Sequence, residues 1–430
     1  MVLVGIPLFT FFRPYPVNAV QDDHVLADAQ QRILQIRRGN ITLDFGAANA
    51  GKQVYIQQLS QAFRFGCNAF QFDQMGSDAQ NQLYRDKFSA LFNYATLPFY
   101  WSYYEGNQGS FPHDQYLHDL AAWLASFNAT AKGHPLIWQS DCCIPEWMSA
   151  LNASDQRAAA LARIDEILTS FPEIDTFDLV NEMTHLPNTW LGTTAVQTWE
   201  TALAEARRVR PGGEFIANEY GYGDTSNNPP NPATDPYYQF LSQVSKDGYA
   251  PSAAGIQFHT VQEWLPLQGI LDTLDVYGSL KIPLHITEFI PASKGIYTSG
   301  EMPGVTTEES QADWAYRAYT ILFSHPAVQA ITWWDFANAS GGWGAWMGQY
   351  GAYMMDMNGR TLPVYDRLYN LIHKEWNSTT TVALDASGKY QFTGFYGNYT
   401  ASIDNVPVQN FSIVDTRLAA QRPWQLADLT

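Results

Sequence analysis

The sequence is poor in cysteine and in basic residues, and each shortage excludes a class of protein. Three cysteines, Cys67, Cys142 and Cys143, are too few among 430 residues for a fold held together by disulfides. Only 24 lysine and arginine residues stand against 42 acidic ones, and the resulting net charge of −18 would repel nucleic acid and anionic membrane surfaces. Beyond residue 20 the chain has no apolar run long enough to span a membrane. We therefore predict neither kind of partner, and a neutral substrate fits the charge better.

The cysteines also lack the pattern of a metal site. No Cys-x-x-Cys or His-x-x-x-His spacing accompanies them, so we predict no bound metal and no cofactor. The neighbouring residues Cys142 and Cys143 are interpreted as two small buried side chains. A disulfide between them, formed in oxidising surroundings, is the alternative.

Apolar and aromatic residues, by contrast, are plentiful. Hydrophobic residues make up 46% of the chain and charged residues only 15%, so a large core is possible and disorder is disfavoured. The chain is long enough for one large domain with a small one beside it. Its 14 Trp, 24 Tyr and 24 Phe offer flat rings that suit sugar rings, although most of them will pack in the core.

The first 20 residues are predicted to be a signal peptide or, failing that, an N-terminal strand. Residues 2–12 are apolar and Val17-Asn18-Ala19 resembles a cleavage site, although no basic residue precedes the apolar run. We expect a secreted, monomeric glycoprotein, with chance as the alternative origin of its sequons. The seven Asn-x-Ser/Thr sequons lie at Asn40, Asn128, Asn152, Asn338, Asn377, Asn398 and Asn410.

Strand-like and helix-like segments alternate eight times in the middle of the chain, which is the count of a TIM barrel. The predicted strands cover residues 63–70, 95–101, 133–138, 177–182, 214–220, 255–260, 283–289 and 328–336. An open doubly wound sheet is the alternative, but no glycine-rich phosphate loop follows the first strand. We therefore predict an α/β fold with a (β/α)8 barrel over residues 63–376.

The segments that flank the predicted barrel have the alternating pattern of short strands. A helical pattern at 26–37 precedes strand patterns at 41–45 and 53–56, and further strand patterns follow at 380–385, 390–393 and 399–403. We predict that the N-terminal segment, 21–62, and the C-terminal segment, 377–430, form one small β domain beside the barrel. A helix capping box is predicted at Thr306 and Glu309.

Two acidic residues stand where buried strands end. Glu182 closes the run Phe-Asp-Leu-Val-Asn-Glu and Glu288 closes Leu-His-Ile-Thr-Glu, on the predicted fourth and seventh strands. The carboxyl ends of the strands form the active face of an α/β barrel, and these two strands lie nearly opposite each other there. Two carboxyl groups that meet across such a mouth indicate glycoside hydrolysis. Acids with a purely structural role at the strand ends are the alternative.

The residues around the two acids indicate which of them carries the charge. Gln257 and His259 are two positions apart on the sixth strand, so they point to one face beside the seventh strand. A histidine donor there would keep Glu288 ionised, and the ionised Glu288 would raise the pKa of Glu182. We therefore predict Glu288 as the nucleophile and Glu182 as the acid/base of a retaining enzyme, with Asn181 binding a sugar hydroxyl next to the reacting carbon.

The run that ends at Glu182 resembles the Trp-Asp-Val-Val-Asn-Glu motif of glycoside hydrolase family 10, the endo-xylanase family, and the run that ends at Glu288 resembles its nucleophile motif Ile-Thr-Glu. Four more segments resemble family motifs in the same order: 133–138 (Gly-His-Thr-Leu-Val-Trp in the family), 218–220 (Asn-Asp-Tyr), 257–259 (Gln-Ser-His) and 331–333 (Ile-Thr-Val-Trp). The resemblance extends from about residue 63 to residue 376. It implies a TIM barrel and a retaining endo-1,4-β-xylanase.

The resemblance also implies which side chains contact the sugar. Those assigned to substrate binding are His134, Trp138, Asn181, Gln257, His259 and Trp101. Glu219 is placed behind them, and an ion-pair partner elsewhere is the alternative for this residue. Of the four tryptophans after strand eight, Trp333, Trp334, Trp343 and Trp346, we expect Trp333 and Trp343 to stack on sugar and at least one to be core.

Three departures from the family pattern affect recognition more than chemistry. After strand two the family has Glu-Asn and Met-Lys-Trp, whose polar groups bind xylose hydroxyls on the non-reducing side of the cleaved bond, whereas residues 96–101 here read Thr-Leu-Pro-Phe-Tyr-Trp and keep only Trp101. Strand three continues Trp-Gln-Ser-Asp in place of Trp-His-Ser-Gln, and strand eight has Trp334 where the family usually has Gly. Xylan is the predicted substrate. Another β-linked glycan (glucan or mannan), or a catalytically inactive carbohydrate-binding protein, is the alternative.

Overall fold

The computed structural model describes residues 19–186, 190–221, 229–260, 264–297, 304–338 and 349–416. Numbered along the chain, the barrel strands are β3 (Arg64–Asn68), β4 (Tyr94–Pro98), β5 (Thr130–His134), β6 (Thr176–Asn181), β7 (Glu214–Glu219), β8 (Ala253–Ile256), β10 (Leu284–Pro291) and β13 (Val328–Trp333). These eight strands pair in parallel, and the sheet closes because β13 pairs with both β10 and β3. The predicted (β/α)8 TIM barrel is therefore confirmed. Of three further two-residue strands, β9 (His259–Thr260) pairs in parallel with β10, whereas β11 (Ile296–Tyr297) and β12 (Gly304–Val305) pair with each other.

Helices follow the barrel strands and cover the outside of the sheet. They are α2 (Asp78–Leu91), α3 (Trp101–Tyr104), α4 (Asp114–Ser126), α5 (Ala153–Ser170), α6 (Ala195–Val209), α7 (Pro236–Lys246), α8 (Leu267–Gly278), α9 (Glu308–Ser324) and α10 (Pro363–Asn370), with a π turn at Leu371–Glu375 and 3-10 turns at Ala47–Asn49 and Glu146–Ala150. The predicted capping box is wrong by one residue. Thr307 caps α9 together with Ser310, because the hydroxyl of Thr306 donates instead to the carbonyl of Gly295.

Most predicted strands overlap the observed ones, but the third is displaced from 133–138 to Thr130–His134. The reason is Lys132, whose side chain is fully buried and donates to a carboxylate oxygen of Asp178 at 2.6 Å. A charged residue interrupts the apolar pattern of a buried strand, whereas the buried residue Leu136 follows the strand as part of a loop.

The two ends of the described chain form one small β domain, as predicted. Strand β1 (Arg38–Asp44) pairs antiparallel with β15 (Lys389–Phe395). A second sheet has the order β14 (Thr380–Ala383), β2 (Gln53–Gln61), β16 (Gly397–Ile403) and β17 (Val406–Ile413). Residues from both ends, among them Leu43, Ile56, Phe392 and Tyr399, pack in a core of their own. Each end therefore supplies strands that the other end needs to bury its apolar face.

The chain reaches this domain through helix α1 (Ala19–Ile36), which begins earlier than the predicted helix at 26–37. Its residues Val25, Ala29 and Ile33 are buried in the barrel core, where the helix packs against α8 and α9. Within the part of the chain that the structure describes, none of the helices is long and apolar enough to cross a membrane. Residues 1–18 lie outside that part, so the signal peptide and secretion stay predictions.

Arg37 lies between helix α1 and strand β1 and connects both to the barrel through hydrogen bonds. Its buried guanidinium donates to the carbonyl oxygens of Phe323, His325 and Val328 at 2.7, 2.7 and 2.8 Å. Since β13 begins at Val328, these contacts lie at the amino ends of the barrel strands. The β domain is thus attached at the bottom of the barrel, opposite the face where α/β barrels carry their active sites.

Replacing Arg37 with Met should lower the free energy of unfolding by about 2–4 kcal/mol, because three buried carbonyl oxygens would lose their donor. Arg38→Met is the matched control. The neighbouring side chain makes an exposed hydrogen bond to Thr393, so its loss should cost less than about 1 kcal/mol. Urea unfolding measures both, and equal midpoints for the two variants would contradict the role given to Arg37.

Candidate active site

The fourth and seventh strands of the barrel bring Glu182 and Glu288 into one cavity at its mouth. Glu182 follows β6 and Glu288 lies within β10. Gln257 joins the two acids directly: its side-chain amide donates to Glu182 Oε1 at 2.9 Å, and its backbone carbonyl accepts from the Glu288 amide at 3.1 Å. The structure therefore brings together the two acids on which the functional prediction depends.

The backbone turns sharply to aim Glu182. A register shift interrupts the pairing of β6 with β7 between Asp178 and Val180, and Glu182 itself has a φ of 56°. Successive residues of a regular strand point to opposite faces, so a bulge and a left-handed residue let both Asn181 and Glu182 face the mouth. A non-glycine residue in this conformation costs roughly 1–3 kcal/mol, and such strain is common at active sites.

The surroundings of Glu182 favour its protonated form. Burial raises its pKa to about 7, and the negative charges of Glu288 and Glu219 add to this effect. Hydrogen bonds from Gln257 and from the indole of Trp138, which donates to Oε2 at 2.9 Å, oppose the rise only in part. Both donors are neutral, so they hold the carboxyl group in place without supplying the positive charge that would keep it ionised.

The surroundings of Glu288 favour its ionised form. Burial acts to raise its pKa, but the hydrogen bond from His259 and the positive charges near it prevail, so the pKa lies below its ordinary value. His259 Nε2 lies 2.9 Å from Oε2, and the amide of Asn218 donates to Oε1 at 2.9 Å. His134 Nε2 is 4.0 Å from Oε1. Both carboxylate oxygens are thus positioned by side chains from neighbouring strands.

Gln257 and His259 face the mouth together, as their spacing predicted. Phe258 between them has a φ of 62° and is buried against Phe289, with ring centroids 5.7 Å apart. The turn sends the apolar ring into the core and the two polar side chains to the acids. Each serves a different acid, Gln257 reaching Glu182 and His259 reaching Glu288.

A buried chain of charges leads from inside the barrel to Glu288. The ammonium of Lys132 donates to Asp178 Oδ2 at 2.6 Å, and His134 Nδ1 lies 2.7 Å from the same oxygen. Burial alone would raise the pKa of Asp178, but Lys132 and His134 hold it below its ordinary value. The charges of His134 and Lys132 also lower the pKa of Glu288. His134 is therefore fixed by Asp178 with its other nitrogen turned toward Glu288.

Glu219 lies behind Glu182, next to the loop that follows it. Its carboxylate accepts hydrogen bonds from the backbone amide and hydroxyl of Thr184 at 2.9 and 2.7 Å, and His185 Nδ1 lies at 2.8 Å. Thr184 and His185 belong to the loop that follows Glu182. Glu219 thus ties this loop to β7 and adds negative charge near Glu182.

The structure gives the predicted tryptophans different roles. Trp138 contacts Glu182, whereas Trp101 is buried, packs edge-on against Trp147 and Trp190, and donates to Glu105 at 2.9 Å. The prediction that Trp101 contacts sugar is therefore corrected to a packing role. Trp101 stands at the start of the short helix α3, and its ring is enclosed by Trp147 and Trp190 from the segments that follow strands three and four.

The sugar contact predicted for Trp333 is also corrected, by one position. Trp333 is fully buried, and its ring lies 5.7 Å from that of Phe289. Trp334 instead lies edge-on to His134, with ring centroids 5.5 Å apart. Neighbouring strand residues face opposite sides, so only one of the two can face the mouth. The predicted contact of Trp343 lies outside the described residues.

An apolar cluster forms the mouth wall beside strands one, two, three, seven and eight. It consists of Phe70, Tyr100, Cys143, Ile290, Trp334 and Ala352, with Trp138 packed against it. Tyr100 lies edge-on to His134 at 5.4 Å, and Cys143 forms a disulfide with Cys142. The disulfide replaces our prediction of two unlinked cysteines. The wall stands where the departures after strands two and three lie.

Three residues of the site were not among the predicted ones. Asn218 donates to both Asn181 and Glu288, at 2.8 and 2.9 Å, and Asp178 with Lys132 fixes His134. The signal that could have found Asp178 and Lys132 is a charge within a strand that is otherwise buried. Within the described ranges, no group of three or more His, Cys, Asp or Glu side chains is arranged to hold a metal ion.

Replacing Glu288 with Gln should lower the pKa of Glu182 from about 7, because a neighbouring negative charge disappears. The pKa should stay above its ordinary value, since burial is the larger cause. Glu219→Gln is the matched control and should lower the pKa less, because Glu219 makes the smaller contribution. Carbon-13 NMR titration of labelled glutamate measures both shifts. A larger effect in Glu219→Gln than in Glu288→Gln would contradict the proposed electrostatics.

Several proteins are similar to this chain along most of its length. Endo-1,4-beta-xylanase 2 of Arabidopsis thaliana is 23% identical over 378 residues, which cover 86% of this chain and 32% of that protein. The anti-sigma-I factor RsgI6 of Acetivibrio thermocellus is 24% identical over 387 residues, which cover 87% of this chain and 46% of that protein. The chain thus spans about a third of the length of the first relative and just under half of the second.

Solved structures share the fold at low identity. Xylanase 10B from Thermotoga petrophila, solved in complex with xylobiose, superposes with a TM-score of 0.60 at 18% identity and covers 73% of this chain and 95% of its own. Xylanase 10B from Thermotoga maritima gives a TM-score of 0.60 at 19% identity, covering 73% and 96%. The family model for Glycosyl hydrolase family 10 matches residues 55–371, which include every barrel strand and both acids. The chain therefore belongs to glycosyl hydrolase family 10.

Proposed function

We propose that this protein is a retaining endo-1,4-β-xylanase in which Glu288 is the nucleophile and Glu182 the acid/base. The observation that carries the proposal is the unequal hydrogen bonding of the two acids, since the neutral Gln257 and Trp138 donate to Glu182 whereas His259 and Asn218 hold Glu288. Burial and neighbouring acids raise the pKa of Glu182, while the hydrogen bond from His259 helps to keep the pKa of the buried Glu288 low. A glycosidase needs one proton donor and one anion on either side of the scissile bond.

In the first step, a carboxylate oxygen of Glu288 attacks the anomeric carbon of the sugar. The bond from that carbon to the glycosidic oxygen breaks, and Glu182 gives its proton to the leaving oxygen. Asn218 and His259 hold the two oxygens of Glu288 in place for the attack. Their hydrogen bonds restrict the carboxylate to one orientation, so little ordering remains to be done at the transition state.

In the second step, Glu182 removes a proton from water, which attacks the anomeric carbon and releases Glu288. The change of role follows from the electrostatics. Once Glu288 is esterified to the sugar it carries no charge, so one of the causes that raise the pKa of Glu182 disappears. The pKa of Glu182 then falls, so its carboxylate stays ionised and can act as the base that this step requires.

Xylan as the substrate is supported by the names of the relatives, several of which are endo-1,4-β-xylanases. Another β-linked glycan, such as mannan or glucan, is the second candidate. The observation in its favour is the wall beside strand two, where Tyr100 and its apolar neighbours stand in place of polar groups. Release of reducing sugar from xylan, mixed-linkage glucan and mannan tests the choice, and activity on none of them would overturn the proposed function.

Glu288→Ala and Glu182→Ala should each lower kcat on xylan by at least about 10²- to 10⁴-fold, since each removes one partner of the reaction. Sodium azide should restore turnover to Glu288→Ala, because a small anion can occupy the space of the lost carboxylate and attack in its place. Proton NMR of the first-formed product should show the β anomer for the wild type. Asp178→Asn cannot serve as a control, because Asp178 fixes His134 beside Glu288. Glu166→Gln serves instead, because the carboxyl group of Glu166 lies in the helix layer, where it accepts a hydrogen bond from Tyr104. Full activity of Glu288→Ala without azide would exclude the assigned mechanism.

The profile of kcat/KM against pH should have its alkaline limb near pH 7, because Glu182 works in its protonated form and loses its proton as the pH rises through its pKa of about 7. The acid limb should lie below pH 4.5, since Glu288 works ionised and its pKa is lowered from 4.5. His259→Asn should shift the acid limb to higher pH. Hydrolysis of 4-nitrophenyl β-xylobioside supplies the profile, and an alkaline limb below pH 5 would disprove the assignment of Glu182.

A further inference from the structure

A third carboxyl group, Asp335, is buried at the mouth without a full set of partners. It follows Trp334 at the end of β13 and is only 1% exposed. One of its oxygens, Oδ1, accepts a hydrogen bond from the side-chain amide of Asn68. The other, Oδ2, is buried and meets no hydrogen-bond partner among the described residues. A buried carboxyl oxygen without a partner is costly, which points to a partner that arrives from outside the chain.

Strand β3 shows that Asn68 holds Asp335 at the inner wall of the barrel. Arg64 on this strand reaches Glu214 on β7 at 2.7 Å, and β7 lies across the barrel from β3. The side chain of Arg64 therefore points into the interior, and Asn68, four positions further along the strand, points the same way. Asn68 ends the strand, so its amide lies at the level of the mouth.

Asp335 directly follows Trp334, whose ring centroid lies 5.5 Å from that of His134, and this places Asp335 beside the reacting groups. Burial raises its pKa to about 7, the hydrogen bond from Asn68 and the nearby side chain of Gln71 oppose the rise, and the charge of Glu288 adds to it. Burial and the charges of Glu288 and Asp335 raise the pKa of Tyr100, whose phenol stays neutral beside them. On the helix side, Asp335 faces the thiol of Cys67 and the phenol of Tyr84, which are also neutral. At mildly acidic pH, Asp335 is therefore a neutral carboxylic acid.

We propose that Asp335 is a sugar-binding residue that contacts a hydroxyl of the sugar unit on the non-reducing side of the cleaved bond, beside Glu288. This inference rests on the proposed function. A neutral carboxylic acid can donate through its hydroxyl and accept through its carbonyl oxygen, and a sugar hydroxyl offers the matching pair. Asp335 would thus supply polar recognition on the side of the mouth where the segment after strand two carries Tyr100 and apolar residues.

Asp335→Leu and Asp335→Asn separate binding from packing. The leucine variant should lower kcat/KM for 4-nitrophenyl β-xylobioside at about pH 5.5 by about 10- to 100-fold, because the sugar hydroxyl loses its partner. It should weaken xylotriose binding in calorimetry, and it should also melt lower than the wild type, because the buried amide of Asn68 loses its acceptor, Oδ1. The asparagine variant, which still donates and accepts, should stay within about 5-fold of the wild type.

Tyr84→Phe is the matched control because it tests the other side of the carboxyl group. The Tyr84 hydroxyl is also buried without a partner and lies on the helix side of Asp335. Its loss should leave kcat/KM unchanged. An equal loss in Tyr84→Phe and Asp335→Leu would show that Asp335 acts on the helix layer and overturn the proposal, as would an Asp335→Leu variant with wild-type kcat/KM. A wild type that hydrolyses none of the tested glycans would instead refute the proposed function itself.

The slope of the alkaline limb gives a readout that does not depend on the folding of the leucine variant. In the wild type, Glu182 and Asp335 both lose a proton near pH 7, so log kcat/KM should fall with a slope approaching −2. In Asp335→Asn only Glu182 titrates, so the slope should be about −1. Equal slopes in the two proteins would mean that the protonation of Asp335 does not matter to sugar binding, contrary to the proposal.

Discussion

The meeting of two carboxyl groups that are largely withdrawn from water is the constraint on which the rest of the site depends. A buried carboxylate is unfavourable unless charge or hydrogen bonds compensate it, and two of them close together repel each other. The barrel resolves the conflict by distributing its donors unequally. Glu182 receives hydrogen bonds from a neutral amide and a neutral indole, whereas Glu288 receives those of His259 and Asn218 and the nearby charges of His134 and Lys132. The proton therefore stays on Glu182.

This unequal distribution has its origin in the polar interior of the barrel. At the bottom, Arg64 is paired with Glu214 at 2.7 Å, and one level higher Lys132 is paired with Asp178 at 2.6 Å. Buried ion pairs contribute little net stability, because desolvation offsets most of their attraction. The upper pair nevertheless affects the site, since it fixes His134 and lowers the pKa of Glu288. The same kind of interaction is thus structural at one level and electrostatically useful at the next.

The sequence was sufficient to predict the barrel, both acids and the pairing of His259 with Glu288, because these depend on motifs at strand ends and on the two-residue period of a strand. It failed where a local pattern conflicted with a tertiary contact. The start of the third strand was predicted too late, because a lysine is not expected in a buried strand. The charge of Lys132 is compensated by Asp178, which lies 46 residues away in the chain. Trp333 and Trp334 were both plausible at the mouth, and only the direction of the strand decides between them. The predicted capping box failed because the hydroxyl of Thr306 donates to the carbonyl of Gly295, a contact that cannot be read from a helix pattern.

The same distinction explains why the two acids and their hydrogen-bond partners follow the family pattern while one wall of the mouth does not. Glu182, Glu288, Gln257 and His259 lie on or next to barrel strands, where the pairing of neighbouring strands restricts each position and a substitution would disturb several contacts at once. Tyr100 and the disulfide of Cys142 and Cys143 lie in segments that follow strands two and three, outside the ladder of strand pairs. Loops on a rigid scaffold can change without altering the strands that carry them. The altered wall is therefore compatible with the proposed chemistry, and under the proposed function a difference in the accepted glycan should arise at that wall, where the rings of Tyr100 and Trp334 pack.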